Sequence, residues 1–139
     1  MKADANAVSL RGVRVLVVDD DPDNRELAMF LLSEAGATVE GAESAAEGYE
    51  LLRQWRPDVL VSDIGMPEED GLSFMRRVRA LSEAEGGRVP AIALTAFVTE
   101  EDRQRGLAAG YMAYIRKPAD VPTLLSTVAR LASAEQGPG

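Results

Sequence analysis

Three short runs of this chain, residues 15–18, 59–62 and 91–94, are almost continuously apolar. A strand with no polar alternation is covered on both faces, as in a parallel sheet packed between helices. Two weaker strand-like runs lie at residues 38–40 and 113–115. Between the runs the apolar spacing changes to that of a helix. Leu27, Phe30, Leu31 and Ala35 fall on one face of the first helical stretch, with Asp21 and Pro22 as N-cap and first residue and Gly36 as the stop. Ala45, Tyr49 and Leu52 share a face of the second, which Trp55 closes as a packing residue. Leu72, Met75, Val78 and Leu81 mark the third, predicted to end near Gly86-Gly87. A polar fourth helix is expected from Thr99 to Ala109, stopped by Gly110, and a fifth carries Leu124, Leu125, Val128 and Leu131. The alternation is (βα)5, an α/β doubly wound parallel five-stranded sheet. Right-handed crossovers allow the strand order 2-1-3-4-5.

Polar residues follow four of the runs: Asp19-Asp20-Asp21 the first, Asp63 the third, Thr95 the fourth and Lys117 the fifth. Open parallel sheets bind ligands beyond the carboxyl ends of their strands, where the strand order reverses. Carboxylates, a hydroxyl and an ammonium at one such edge suit a divalent cation and a phosphoryl group. Histidine and cysteine are both absent. That excludes a Ser-His-Asp triad, imidazole or thiolate metal ligation, disulfides and a phosphohistidine on the chain itself.

The 139 residues suit one domain, expected over residues 13–133 with an N-terminal arm at 1–12 and a flexible tail at 134–139. A formal charge of −8 argues against nucleic-acid binding by the chain itself. No apolar run reaches the roughly 18 residues of a membrane span, and residues 1–11 lack the apolar core of a signal peptide. A cytoplasmic setting is expected.

The stretches Val15-Leu16-Val17-Val18-Asp19-Asp20-Asp21, Asp58-Val59-Leu60-Val61-Ser62-Asp63, Met66-Pro67-Glu68-Glu69-Asp70-Gly71, Leu94-Thr95-Ala96 and Lys117-Pro118 occur in an order and spacing that resemble the receiver domain of two-component response regulators. The resemblance implies a flavodoxin-like fold and a phosphorelay role. Asp63 is then the phosphoacceptor, Asp20 a direct Mg²⁺ ligand, Asp19 a ligand mainly through water, and the carbonyl of Gly65 a further ligand. Thr95 and Lys117 contact the phosphoryl group, and Thr95 and Tyr114 form a switch. A cis peptide is implied before Pro118. The implied partners are a histidine kinase or histidine phosphotransfer protein and a downstream protein target. The chain is then a regulatory domain rather than an enzyme, though it assists its own phosphorylation and dephosphorylation.

Three crowded carboxylates give this set its physical logic. At ~5 Å and an effective dielectric of ~20, each like-charge pair costs roughly 3 kcal/mol. A cation relieves that cost, and oxygen-only ligands suit Mg²⁺, with Mn²⁺ possible in its place. Two departures from the family pattern carry expectations. Ala119 stands where the family often has a large apolar residue, so looser packing beneath the fifth helix is expected. Gly65 and Phe97, two residues after Asp63 and Thr95, cannot orient a water by side-chain hydrogen bonding. Slow self-hydrolysis is therefore expected, with Phe97 shielding the acyl phosphate.

Only 21 residues follow Pro118, fewer than the roughly 50 a DNA-binding effector needs, so a stand-alone receiver or one taken from a hybrid sensor kinase is expected. Two other functions compete. Asp19 and Asp21 superficially fit the Asp-x-Asp of an aspartyl-phosphate hydrolase of the haloacid dehalogenase type. A pseudo-receiver would keep the fold and never take phosphate.

Overall fold

The computed structural model describes residues 8–66, 69–96 and 99–135. Pro67, Glu68 and Phe97 lie outside them. In chain order the elements are β1 (Arg14–Val18), α1 (Pro22–Glu34), β2 (Thr38–Ala42), α2 (Ala45–Trp55), β3 (Val59–Ser62), α3 (Gly71–Arg79), β4 (Ala91–Thr95), α4 (Glu100–Ala109), β5 (Ala113–Arg116) and α5 (Val121–Glu135). The strands form one parallel sheet in the order β2-β1-β3-β4-β5. This is the expected doubly wound architecture.

Side chains alternate across the sheet, so each central strand feeds two cores. Leu16, Val18, Leu60, Ala91 and Ala93 pack with Leu52, Phe74, Met75 and Val78 on the side of α2 and α3. Val15, Val17, Val59, Val61, Ile92 and Leu94 pack with Leu32, Leu124, Val128 and Leu131 of α1 and α5. Burial on both faces is why these three strands carry no polar alternation.

Asp21 caps α1 as expected, its side chain accepting from the Asp23 N–H, with Pro22 opening the helix and Gly36 following its end at φ +107°. The inward face of α1 differs from the expected one. Ala28 and Leu32 are buried, while Leu27 and Phe30 are 57% and 59% exposed. Residues 27–32 are all apolar, so i, i+3, i+4 spacing is satisfied by more than one face. Packing on the sheet selected the face with the small Ala28. The third helix also ends earlier than expected, at Arg79, with Ala80 as its cap. A separate 3-10 turn, Glu83–Glu85, follows, its capping box formed by Ser82 and Glu85. Phe74, absent from the expected face, is the fully buried anchor of α3.

The described part of the expected N-terminal arm is held in place. Leu10 is fully buried, and its N–H donates to the Ala35 carbonyl at 2.7 Å. The Lys117-Pro118 peptide is cis. Beside it, a groove of about 370 Å³ opens between α1 and α5, with Leu27, Leu31, Lys117, Ala119 and Leu124 in its walls. The small Ala119 side chain forms part of that wall.

At the site's edge, Gly71 sits where no side chain fits. It opens α3 against the back of β3, and a Cβ there would lie 2.5 Å from the Asp63 carbonyl oxygen and 2.7 Å from the Ile64 Cα. Both are main-chain atoms, so the backbone must move. Gly71→Ala is expected to destabilise the fold by about 2 kcal/mol. Urea unfolding measures it, and an unchanged midpoint would show that the loop yields freely.

Candidate functional site

The sheet ladder delivers the polar residues to one edge. The Asp19 N–H donates to the Ala42 carbonyl, the Asp63 N–H to the Val18 carbonyl and the Lys117 N–H to the Thr95 carbonyl, at 2.8 to 3.1 Å. Each of these residues is therefore the last point gripped by its neighbouring strand before the chain turns away. Because β1 lies beside β3, the acids meet although more than forty residues separate them in the chain.

Asp19, Asp20 and Asp63 each place a carboxylate oxygen within 4.8 Å of the others. Asp19 and Asp63 are 3% and 9% exposed, whereas Asp20 stands open to solvent. Lys117 bridges the two buried acids, with Nζ 2.8 Å from Asp19 Oδ2 and 3.5 Å from Asp63 Oδ2. Burial pulls the lysine pKa down, but the hydrogen bond to Asp19 and the charges of Asp63 and Asp19 outweigh it, and the net shift is upward. The other oxygen of Asp19 accepts from the Asp21 N–H at 3.0 Å. The Gly65 N–H donates to Asp63 Oδ1 at 3.2 Å, which folds the β3–α3 loop back over the acid.

Thr95 is fully buried at the end of β4. Tyr114 is partly buried on β5 beside Gly106 of α4, where an added Cβ would meet its ring at 3.3 Å. Burial raises its phenol pKa, helped by the negative charges of Asp102 and Asp63. Asp21 faces away from the acid cluster, its carboxylate occupied by the Asp23 N–H and the Asn24 amide.

The sequence expectations missed two residues around this edge. Arg25 Nη1 donates to the Asp19 carbonyl at 2.8 Å, tying α1 to the end of β1. Tyr111 is 3% exposed, and its hydroxyl donates to the Gly71 carbonyl at 2.9 Å. Arg25 sits one helical turn beyond the Asp21 cap, which hints at its reach. Tyr111 sits beside no polar motif, and no local pattern marks it.

The donor set fits a hard divalent cation: three carboxylates, two of them shielded from water, with no nitrogen or sulfur ligand among them. No helix among the described residues is long and apolar enough to cross a membrane.

Comparison with known proteins agrees with this geometry. The response regulator receiver domain family matches residues 15–129. A 14.6 kDa protein of Leptolyngbya boryana is 47% identical over 120 residues, covering 86% of this chain and 90% of that protein. The response regulator MprA of Mycobacterium ulcerans is 40% identical over 119 residues; the match covers 86% of this chain and 50% of MprA. Among solved structures, the chemotaxis protein CheY4 of Vibrio cholerae superposes with a TM-score of 0.79 at 33% identity, covering 86% of this chain and 98% of that one. With its sheet order, acid cluster and bridging lysine, the chain belongs to the response regulator receiver domain family.

Proposed function

We propose that the chain is the phosphoacceptor domain of a two-component phosphorelay, with Asp63 as the residue that takes the phosphoryl group. The convergence of Asp19, Asp20, Asp63 and Lys117 from three strand ends carries this reading. An Asp63 carboxylate oxygen attacks the phosphorus of a donor phosphohistidine. The P–N bond breaks, its electron pair leaves with the imidazole, which is protonated, and an acyl phosphate remains on Asp63.

Asp19, Asp20, Asp63 and the Gly65 carbonyl would hold Mg²⁺, or Mn²⁺ in its place. The ion would supply charge neutralisation for the incoming phosphoryl oxygens. Lys117 then faces a group carrying about −1.5 to −2 charge and offsets part of it. The Thr95 hydroxyl donates to a phosphoryl oxygen and is drawn inward. Space opens behind it for the Tyr114 ring, and the surface of α4, β5 and α5 changes. This is a population shift that favours the packing with higher affinity for the phosphorylated site. Met112 and Val121, 48% and 38% exposed, support a protein-binding role for that surface. The donor is a histidine kinase or histidine phosphotransfer protein, and the reading carries a cytoplasmic setting with it.

The position of Asp21 favours this reading over an aspartyl-phosphate hydrolase, whose second acid would have to face the first across the substrate. Incubation with acetyl phosphate and Mg²⁺ followed by intact mass and peptide mapping tests it. One phosphoryl group on Asp63 is expected. Label on Asp19 would support the hydrolase, and no label would support a pseudo-receiver.

Gly65 bears on the lifetime of the product. It has no side chain to hold an attacking water near Asp63. Gly65→Asn is expected to speed loss of phosphate by about tenfold, less than the roughly 10²–10⁴-fold of a true general base because an amide only orients the water. Phosphate release after removal of the donor measures it. A wild type that loses phosphate faster than the variant would reverse the assignment.

A further inference from the structure

Tyr111 lies between β5 and the main chain around Asp63, and the reactions proposed above do not use it. The residue follows Gly110 at the end of α4, and its N–H donates to the Gly106 carbonyl at 3.0 Å. Its ring is buried beside Ile64 and Phe74 in the core under α3. Its hydroxyl donates to the Gly71 carbonyl at 2.9 Å. Ser62 Oγ donates to the Asp63 carbonyl at 3.1 Å. The Gly71 N–H donates to the Ile64 carbonyl at 2.8 Å. The phenol oxygen thus holds Gly71, whose N–H holds the Ile64 carbonyl, while Ser62 holds the Asp63 carbonyl beside it.

We propose that Tyr111 is a positioning residue for the phosphoacceptor loop, fixing the main chain at Ile64 and Gly71, on either side of Gly65, and tying it to the α4–β5 connection. The proposal rests on the reading of Asp63 as phosphoacceptor and Gly65 as a metal-facing carbonyl. Burial holds the phenol protonated well above its ordinary range, so the hydroxyl remains a donor at every working pH. The ring supplies packing, and the hydroxyl supplies register. Losing the hydroxyl leaves the Gly71 and Ile64 carbonyls less constrained, and the loop samples positions unsuited to metal ligation by the Gly65 carbonyl. Metal binding then suffers more than chemistry at saturating metal.

The test uses the full chain and Tyr111→Phe, which keeps the ring. Mg²⁺ is titrated while the amide resonances of Gly65 and Gly71 are followed by NMR, and the Mg²⁺ dependence of phosphorylation by acetyl phosphate is measured alongside. The dissociation constant for Mg²⁺ is expected to rise about fivefold, the weight of one net hydrogen bond. The phosphorylation rate at saturating Mg²⁺ should fall by less than twofold. Ser62→Ala should shift Mg²⁺ binding in the same direction and covers the case of a Tyr111→Phe protein that does not fold. Leu131→Val, a core change on the opposite side of the sheet, should lower the melting temperature and leave Mg²⁺ binding alone. If Tyr111→Phe and Ser62→Ala bind Mg²⁺ like wild type, Tyr111 is only a core residue and the proposal falls. If wild type itself neither binds Mg²⁺ nor takes phosphate at Asp63, the functional reading fails, and this proposal with it.

Discussion

Asp63→Asn is expected to take up no phosphoryl group from acetyl phosphate and, in EDTA, to melt above the wild type. The first result follows from removing the nucleophilic oxygen. The second follows from charge. Asp63 shares its site with Asp19 and Asp20, and each like pair at this separation costs roughly 3 kcal/mol at a dielectric of ~20. Lys117, 3.5 Å from Asp63, offsets much of that repulsion. Exposure of Asp20 screens part of the rest. A balance of about 1 kcal/mol in favour of losing the charge remains. For a domain of this size it corresponds to roughly 4 °C. Added Mg²⁺ should reverse the order, because the wild type, with its full acid set, is expected to bind it better and gain stability by mass action. Thermal melts with EDTA and with Mg²⁺ check both signs. A variant that melts below wild type in EDTA would mean that the acids are not crowded.

Lys117→Met should cost about 3 kcal/mol of stability without metal, because it strands a buried carboxylate pair with no cation. Methionine keeps the length and volume of the stem, so packing changes little. Asp19 bears most of the loss: it is 3% exposed and its nearest cation is the lysine nitrogen at 2.8 Å. Mg²⁺ should restore much of the stability by supplying another positive charge to the same oxygens. The sign of the pH dependence follows from the upward shift of the lysine pKa. The contribution is complete below the ordinary lysine value of about 10.4 and fades only as the pH rises through the folded value. It does not change across the neutral range. Urea unfolding of wild type, Lys117→Met and the double variant with Asp63→Asn measures the coupling. With the Asp63→Asn single variant completing the cycle, the double variant should lose less than the sum of the two single effects, and a strictly additive loss would show that Lys117 and Asp63 act independently.

Fold and site differ in how far they were legible in the linear chain. The unbroken apolar runs at β1, β3 and β4 announced a sheet covered on both sides, and the helix signals at Asp21, Pro22 and Gly36 appear where local chemistry puts them. The inward face of α1 was not legible. Residues 27–32 are all apolar, and only contact with the sheet distinguishes Ala28 and Leu32 from Leu27 and Phe30. The end of α3 was hidden for a related reason: the apolar spacing continues through Leu81, but the backbone turns at Ala80 and restarts from the Ser82 cap.

What the linear sequence determined by itself is periodicity and residue type: five alternations, and a polar side chain beyond four of the strands. Both are local properties, set by backbone sterics and by the need to bury apolar surface. Tertiary structure alone decided distance. The ammonium of Lys117 reaches Asp19 across 98 positions of chain because β5 is only three strands away from β1, and Tyr111 meets Gly71 across 40. Contacts of that kind depend on how strands stack into a sheet, and no short window of sequence encodes them.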